Sequence, residues 1–193
     1  MNFHIPAGST PLDPNEAEGL IPDLTTQAEL NELEQINIDE AWIWAQRSRK
    51  VRRSLLELDT LTLLHLQMFG KTWRWAGKYR TTQKNIGCES WKIQTSLYEL
   101  LQDVNVWIKF SSYPPDEIIG RFHHRLVSIH AFSNGNGRHG RIAADLLSLN
   151  LGTPRPTWGM LSLPTIQSRE AYIKALRAAD ANDLAALIRF LRS

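Results

Sequence analysis

The sequence predicts an all-α domain: a helical bundle broken once by a small non-helical insertion. Three observations predict it. Apolar residues recur at three- and four-residue steps through most of the 193 residues. Only "RWAGKYRTTQKNIGCESWKI" breaks that rhythm. Proline, glycine, serine and asparagine punctuate the periodic runs where helices start and stop.

Residues 1 to about 25, which contain "IPAGSTPLDPNEAEGLIPDL", are rich in proline, glycine and acid. They read as an extended arm with one helical turn. From "TTQAELNELEQINIDEAWIWAQRSRK" the pattern turns helical, with Leu30, Leu33, Ile36 or Asn37, Ala41 and Trp44 in step. The boundaries expected are therefore an N-terminal arm over 1–29 and one domain over 30–193. The basic run "RSRKVRR" reads as a solvated helix end or connection, with a nucleic-acid contact as its minor alternative. "SLLELDTLTLLHLQMFGKTW" is the next helix, where Leu58, Leu61, Leu64 or His65, and Met68 share a side. His65 falls inside that apolar pattern, which suits a hydrogen-bonded core histidine better than a ligand.

The irregular stretch then suggests a short hairpin. Helices resume with "TSLYELLQDVNVWIKF" and, after a proline start, "SSYPPDEIIGRFHHRLVSI". "IAADLLSLNLG" ends on Gly152 as a C-cap. After a "TPRPTW" loop, Ser168 and Asn182 are the expected N-caps of two closing helices.

Composition narrows the function classes. The 22 basic and 20 acidic residues leave a formal charge of +2, which argues against a dedicated nucleic-acid or membrane-surface binder. Cys88 is the single cysteine, so no disulfide framework or cysteine-rich zinc site is expected, and a small buried hydrophobic side chain is. "MNFHIPAGST" has neither the charged nor the apolar region of a signal peptide. No apolar run approaches a membrane span. A cytoplasmic location is the expectation.

The chemistry concentrates in "HAFSNGNGRHGR", residues 130–141. His130 ends one helix and the next begins near Gly137. Between them Gly135-Asn136-Gly137 can adopt backbone angles closed to larger residues, and the free amides there form an anion site. Arg138 and Arg141 are three residues apart, so both leave one helix face near its positive end, and guanidinium forks suit phosphate oxygens. A neutral His130 at the rim can take a proton from an attacking hydroxyl. Together these read as a nucleotide phosphate cradle beside a general base.

The window resembles the signature of the Fic (Fido) family, HPFx(D/E)GNGRxxR, matching at His130, Phe132, Gly135, Asn136, Gly137, Arg138 and Arg141. "LHLQMFGKTWRWAGKYR", "FHHRLVSIHAF" and "SREAYIKALRAADANDLAALIRFL" extend the resemblance over roughly residues 30 to 191. The chain is similar to the small bacterial group called mobile mystery protein B. The resemblance implies a Fic-fold helical bundle with a β-hairpin flap, and transfer of AMP from ATP to a protein hydroxyl. His130 would be the base. The glycine-turn amides and Arg138 would hold phosphates, and Arg141 the terminal one. Magnesium would bridge them, and Phe132 would anchor the loop. The flap, within "KYRTTQKNIG", would hold the target as an added strand through Arg80, Thr81 and Thr82.

Two positions depart from the signature. Ala131 replaces proline, and Asn134 replaces the acid that holds the metal. A neutral amide oxygen still ligates a hard cation, but more weakly. The family also carries an inhibitory (S/T)xxxE(G/N) segment. Glu18-Gly19 supplies its last two positions, although Pro14 stands where Ser or Thr belongs. Glu18 is thus the candidate inhibitory residue, ahead of Glu29 and Glu34. A separate antitoxin protein is the alternative brake on a toxin-like transferase.

Three other readings stay open at this point. A metal nuclease can be read from His130, Asn134 and His139, but it leaves Arg138 and Arg141 unexplained. Adjacent His123 and His124 diverge on a helix and make a poor metal pair. A nucleotide- or protein-binding module with little turnover follows if Asn134 has cost the metal. A phosphotransferase branch of the family replaces the second glycine, which here is Gly137.

Overall fold

The computed structural model describes residues 13–160 and 165–193; the first twelve residues of the expected arm lie outside them. The elements, in order, are α1 (Pro14–Ala17), α2 (Gln27–Arg47), α3 (Arg49–Ser54), α4 (Leu58–Phe69), α5 (Ile93–Lys109), α6 (Pro115–Ile129), α7 (Asn136–Asn150), α8 (Thr165–Asp180) and α9 (Ala185–Leu191). A 3-10 turn, Ser90–Lys92, leads into α5.

Local chemistry explains most boundaries. Thr26 opens α2 as a capping box: its hydroxyl accepts from the Glu29 N–H, while the Glu29 carboxylate accepts from the Thr26 N–H. Ser48 ends α2 and caps α3, so the basic run becomes a short exposed helix anchored by buried Val51. Pro115 starts α6 where a missing N–H costs nothing. The C-cap of α7 is Leu151 rather than Gly152, which follows it in the left-handed region at φ 71°.

The two closing N-caps fall elsewhere. Helix α8 already runs from Thr165, so Ser168 lies inside it and donates to the Trp158 carbonyl. Asn182 sits in the left-handed region after α8, Leu184 holds the N-cap position of α9, and the Asp183 carboxylate accepts from the Ala185 N–H. A short polar side chain serves either end of a tight helix–helix turn, so sequence alone left the roles ambiguous.

Helix α7 is central. It packs on α6, α4 and α2, with α5 behind α6, while α8 and α9 pair and α9 rests on α6. The core follows from the apolar stripes: Leu61, Leu64 and Met68 of α4, Ile119, Phe122 and Leu126 of α6, and Ile142, Ala143 and Leu147 of α7 are all buried. Small Ala143 and Ala144 let α7 sit close to its neighbours.

The irregular insertion is where expected, but it forms no hairpin. Among the described residues the only β-bridge joins Leu20 to Trp73. Residues 80–88 instead follow an irregular path, with the Thr82 and Cys88 carbonyls taken by the Arg80 side chain rather than by a partner strand. The arm packs against this region. Arg74 N–H donates to the Gly19 carbonyl, Ile21 N–H to that of Thr72, and Trp75 Nε1–H to that of Glu16.

Candidate active site

Helix α6 ends at Ile129, and His130 turns left-handed at φ 54°, ψ 57°. That reversal brings the chain back to start α7 at Asn136. A non-glycine residue in this region costs energy and persists only where its surroundings impose it. Four features impose it here.

Phe132 is buried and stacks on the His65 ring, centroids 3.7 Å apart. Gly77 N–H donates to His65 Nδ1, so Nε2 carries the proton and donates to the Asn134 carbonyl at 3.0 Å. The Asn136 side chain closes a ring on Phe132, accepting from its N–H at 2.9 Å and donating to its carbonyl at 2.7 Å. Gly135 has φ 79°, and a Cβ there would lie 2.6 Å from the Phe69 ring, so only glycine fits.

A Cβ on Gly137, by contrast, would meet nothing nearer than the Tyr172 hydroxyl at 3.9 Å. The start of α7 therefore faces open space, as an anion cradle requires. Its two arginines reach different neighbours. Arg138 lies over Phe69 and pairs with Glu34 at 2.5 Å. Arg141 sits 4.4 Å from the Tyr172 ring and 5.5 Å from that of Trp158. Tyr172 is fixed in turn by His123 Nε2 at 2.9 Å.

His130 is 7 % exposed, and its pKa is lowered to about 4, first by burial and then by the Arg80 charge. A backbone hydrogen bond at Val127 pulls the other way. The imidazole is thus neutral at pH 7, as a base must be.

The remaining candidates separate clearly. Thr81 and Thr82 are exposed, and the Thr82 hydroxyl donates to Glu16. Arg80 is buried and its donors are spent on carbonyls, so it presents no guanidinium to a partner. The Asn134 amide oxygen accepts from the Gly135 N–H at 2.5 Å and is half-buried. Among the described residues no three of the His, Cys, Asp and Glu side chains cluster as metal ligands. Glu18 is exposed at the end of α1.

The nuclease constellation does not assemble: buried His139 bonds the Leu61 carbonyl. His123 and His124 diverge, to Tyr172 and to Asp180. Cys88 is half-buried, its thiol donating to the Ile129 carbonyl. Trp73 is buried and Trp91 is 76 % exposed.

Sequence reasoning ranked Glu34 low, although it is the carboxylate that meets a signature arginine. Its signal was positional. It lies four residues after Leu30 and four before Ile38 on the buried stripe of α2, where a carboxylate needs a partner. It finds two, Arg138 and the Trp73 indole N–H at 2.7 Å.

Four buried histidines make this region acid-sensitive. His65 is held well below its ordinary value, His123 at about 3, and His130 and His139 at about 4, each mainly by burial. The unfolded chain titrates near 6.5 and binds more protons than the folded one below that pH. Stability is therefore intact above about pH 6.5 and falls toward pH 4, by about 3 kcal/mol for each histidine near 4. Urea midpoints measured between pH 7 and 4.5 should fall steeply; a flat profile would contradict neutral burial.

Residues 55–148 match the family model described as Fic/DOC family. Protein adenylyltransferase fic-1 of Caenorhabditis briggsae is 29 % identical over 140 residues, covering 70 % of this chain and 26 % of the relative. A Fido domain-containing protein of Dictyostelium discoideum is 35 % identical over 88 residues, 46 % of this chain and 57 % of that one. The chain spans about a quarter of the fic-1 relatives it matches. Among solved structures, BepC from Bartonella tribocorum with bound AMPPNP superposes with TM-score 0.67 at 17 % identity, over 93 % of this chain and 96 % of that one. Fic-1 from C. elegans gives TM-score 0.67 at 25 % identity, over 90 % and 51 %.

Proposed function

The chain belongs to the Fic/DOC family through residues 55–148, and from that membership we propose that it transfers AMP from ATP to a hydroxyl side chain of a target protein. One observation carries this reading: a neutral imidazole at a left-handed turn stands beside an open helix N-terminus that carries two arginines. Relatives named adenylyltransferases and a structural neighbour with bound AMPPNP support it.

His130 takes the proton of a target Ser, Thr or Tyr hydroxyl. That oxygen attacks the α-phosphorus, the bond to the β-phosphate oxygen breaks, and pyrophosphate leaves. The Asn136 and Gly137 amides with Arg138 hold phosphates, and Arg141 the terminal one, while the Gly135 N–H stays on the Asn134 amide oxygen. This is positioning and electrostatic stabilisation. Thr81 and Thr82 offer the exposed edge for the target. The donor set fits magnesium only as a companion of the nucleotide's own phosphates, with the Asn134 amide oxygen as the one protein ligand; bound there, the ion would neutralise phosphate charge. The supporting test is incubation with α-labelled ATP and cell lysate. A labelled protein band is expected, and ATP binding without any band would leave a nucleotide-binding module instead.

We assign restraint of the site to Glu34 rather than Glu18. Arg138 cannot serve Glu34 and a phosphate with the same guanidinium edge. Residues 1–29 remain the proposed regulatory arm, and a separate antitoxin the proposed control in trans. Glu34→Gln keeps an acceptor for the Trp73 indole while removing the charge. It should raise the transfer rate about tenfold, the size of a modest coupling energy. An unchanged initial rate and unchanged KM for ATP would remove Glu34 from this role.

A further inference from the structure

We propose that Arg80 is a positioning residue for His130, its guanidinium locking the base and residues 80–88 into one mechanical unit. This rests on the reading of His130 as general base.

A helix leaves its last carbonyls without intrahelical partners. At the end of α6 a side chain from a distant segment reaches two of them. Arg80 is 3 % exposed. Its Nε–H donates to the His130 carbonyl at 2.6 Å, and Nη2 reaches the Ile129 carbonyl at 3.5 Å. The same fork turns back on its own segment: Nη1 donates to the Thr82 carbonyl at 2.9 Å and Nη2 to that of Cys88 at 2.5 Å.

Two backbone bonds run parallel to it, Arg80 N–H to the Ala131 carbonyl and Cys88 N–H to that of Ile129. The cation also suits the negative end of α6. Arginine's planar fork can span carbonyls on both sides, whereas the single ammonium of lysine cannot.

The contact is close enough to transmit movement. A Cβ on Gly87 would lie 2.6 Å from His130 Cβ and 2.8 Å from Arg80 Nη2. Whatever shifts residues 80–88, including a target laid along Thr81 and Thr82, therefore shifts the base.

The charge has a second effect. The cations facing His130 are Arg80 and Lys84. Lys84 is neutralised by Asp13 at 2.7 Å and Glu16 at 2.5 Å. Among the described residues Arg80 has no carboxylate in an ion pair, so its charge bears on the imidazole and favours the neutral form.

The test uses Arg80→Lys, Arg80→Gln and Gly87→Ala, with His130→Ala as reference. The readouts are kcat, KM for ATP and the acid limb of the pH profile. A displaced base should lower kcat about 10- to 100-fold in all three, with KM for ATP within about twofold, because Arg80 does not line the phosphate cradle. Arg80→Gln should move the acid limb upward, and Arg80→Lys, which keeps the charge, should not.

A structural defect alone would not split the two Arg80 variants in this way. Unchanged kcat in folded Arg80→Lys and Gly87→Ala, or an unmoved acid limb in Arg80→Gln, overturns the proposal. If the Arg80 variants fail to fold, the kcat of Gly87→Ala decides. If His130→Ala itself keeps transferring AMP, the base assignment fails and this inference with it. If His130→Ala is inactive while the others match wild type, only this inference fails.

Discussion

Replacing His130 should reduce the proposed AMP transfer by about 10²- to 10⁴-fold, the usual contribution of a positioned general base. Alanine is the direct test. Asparagine is the better control, because it tolerates the left-handed backbone that His130 adopts and so removes the imidazole while sparing the turn. Both variants should bind ATP as wild type does, since the glycine-turn amides, Arg138 and Arg141 remain. The loss should appear in kcat. The wild-type pH profile should be level from pH 7 to about 5.5 and fall as pH approaches the His130 value of about 4. Transfer by His130→Asn at more than about a tenth of the wild-type rate would show that the proton goes elsewhere.

Asn136→Ala should destabilise the protein by about 2–5 kcal/mol and disable transfer with it. The side chain is buried and makes two bonds to Phe132, one to each backbone group. Alanine satisfies neither, and both orphaned groups lie in the core beside the His65–Phe132 stack. Asn136→Asp is an informative second variant: it retains an acceptor for the Phe132 N–H but sets an oxygen against the Phe132 carbonyl. It should also be destabilised, so the amide's donor is as necessary as its acceptor. Chemical denaturation measures both. A change under about 0.5 kcal/mol in Asn136→Ala, typical of a neutral surface substitution, would contradict this bracing role.

Thermodynamically, then, Asn136 belongs to the loop as much as to the ligand. Sequence reading assigned it to phosphate binding through its backbone. Its side chain works instead on the turn that presents those amides. His65 is the converse case. Its place on an apolar stripe marked it as a core histidine, and it is one, but its two ring nitrogens tie Gly77 to Asn134. Periodicity reports which face a residue occupies and is silent on what waits there.

The sequence by itself determined the helical class, the positions of most helices, the irregular insertion and the signature loop. These are local matters. Apolar spacing sets the helix faces, proline and threonine set starts, and the glycines of residues 135–137 set the turn. Tertiary structure alone decided the partners. It brought Glu34 across 104 residues to Arg138, and drew Arg80 across 50 residues to the His130 carbonyl. It also replaced the expected hairpin with a segment pinned by that same arginine. An ion pair or a buried guanidinium requires two surfaces to meet, and which surfaces meet is settled by packing the whole core, not by any window of the chain.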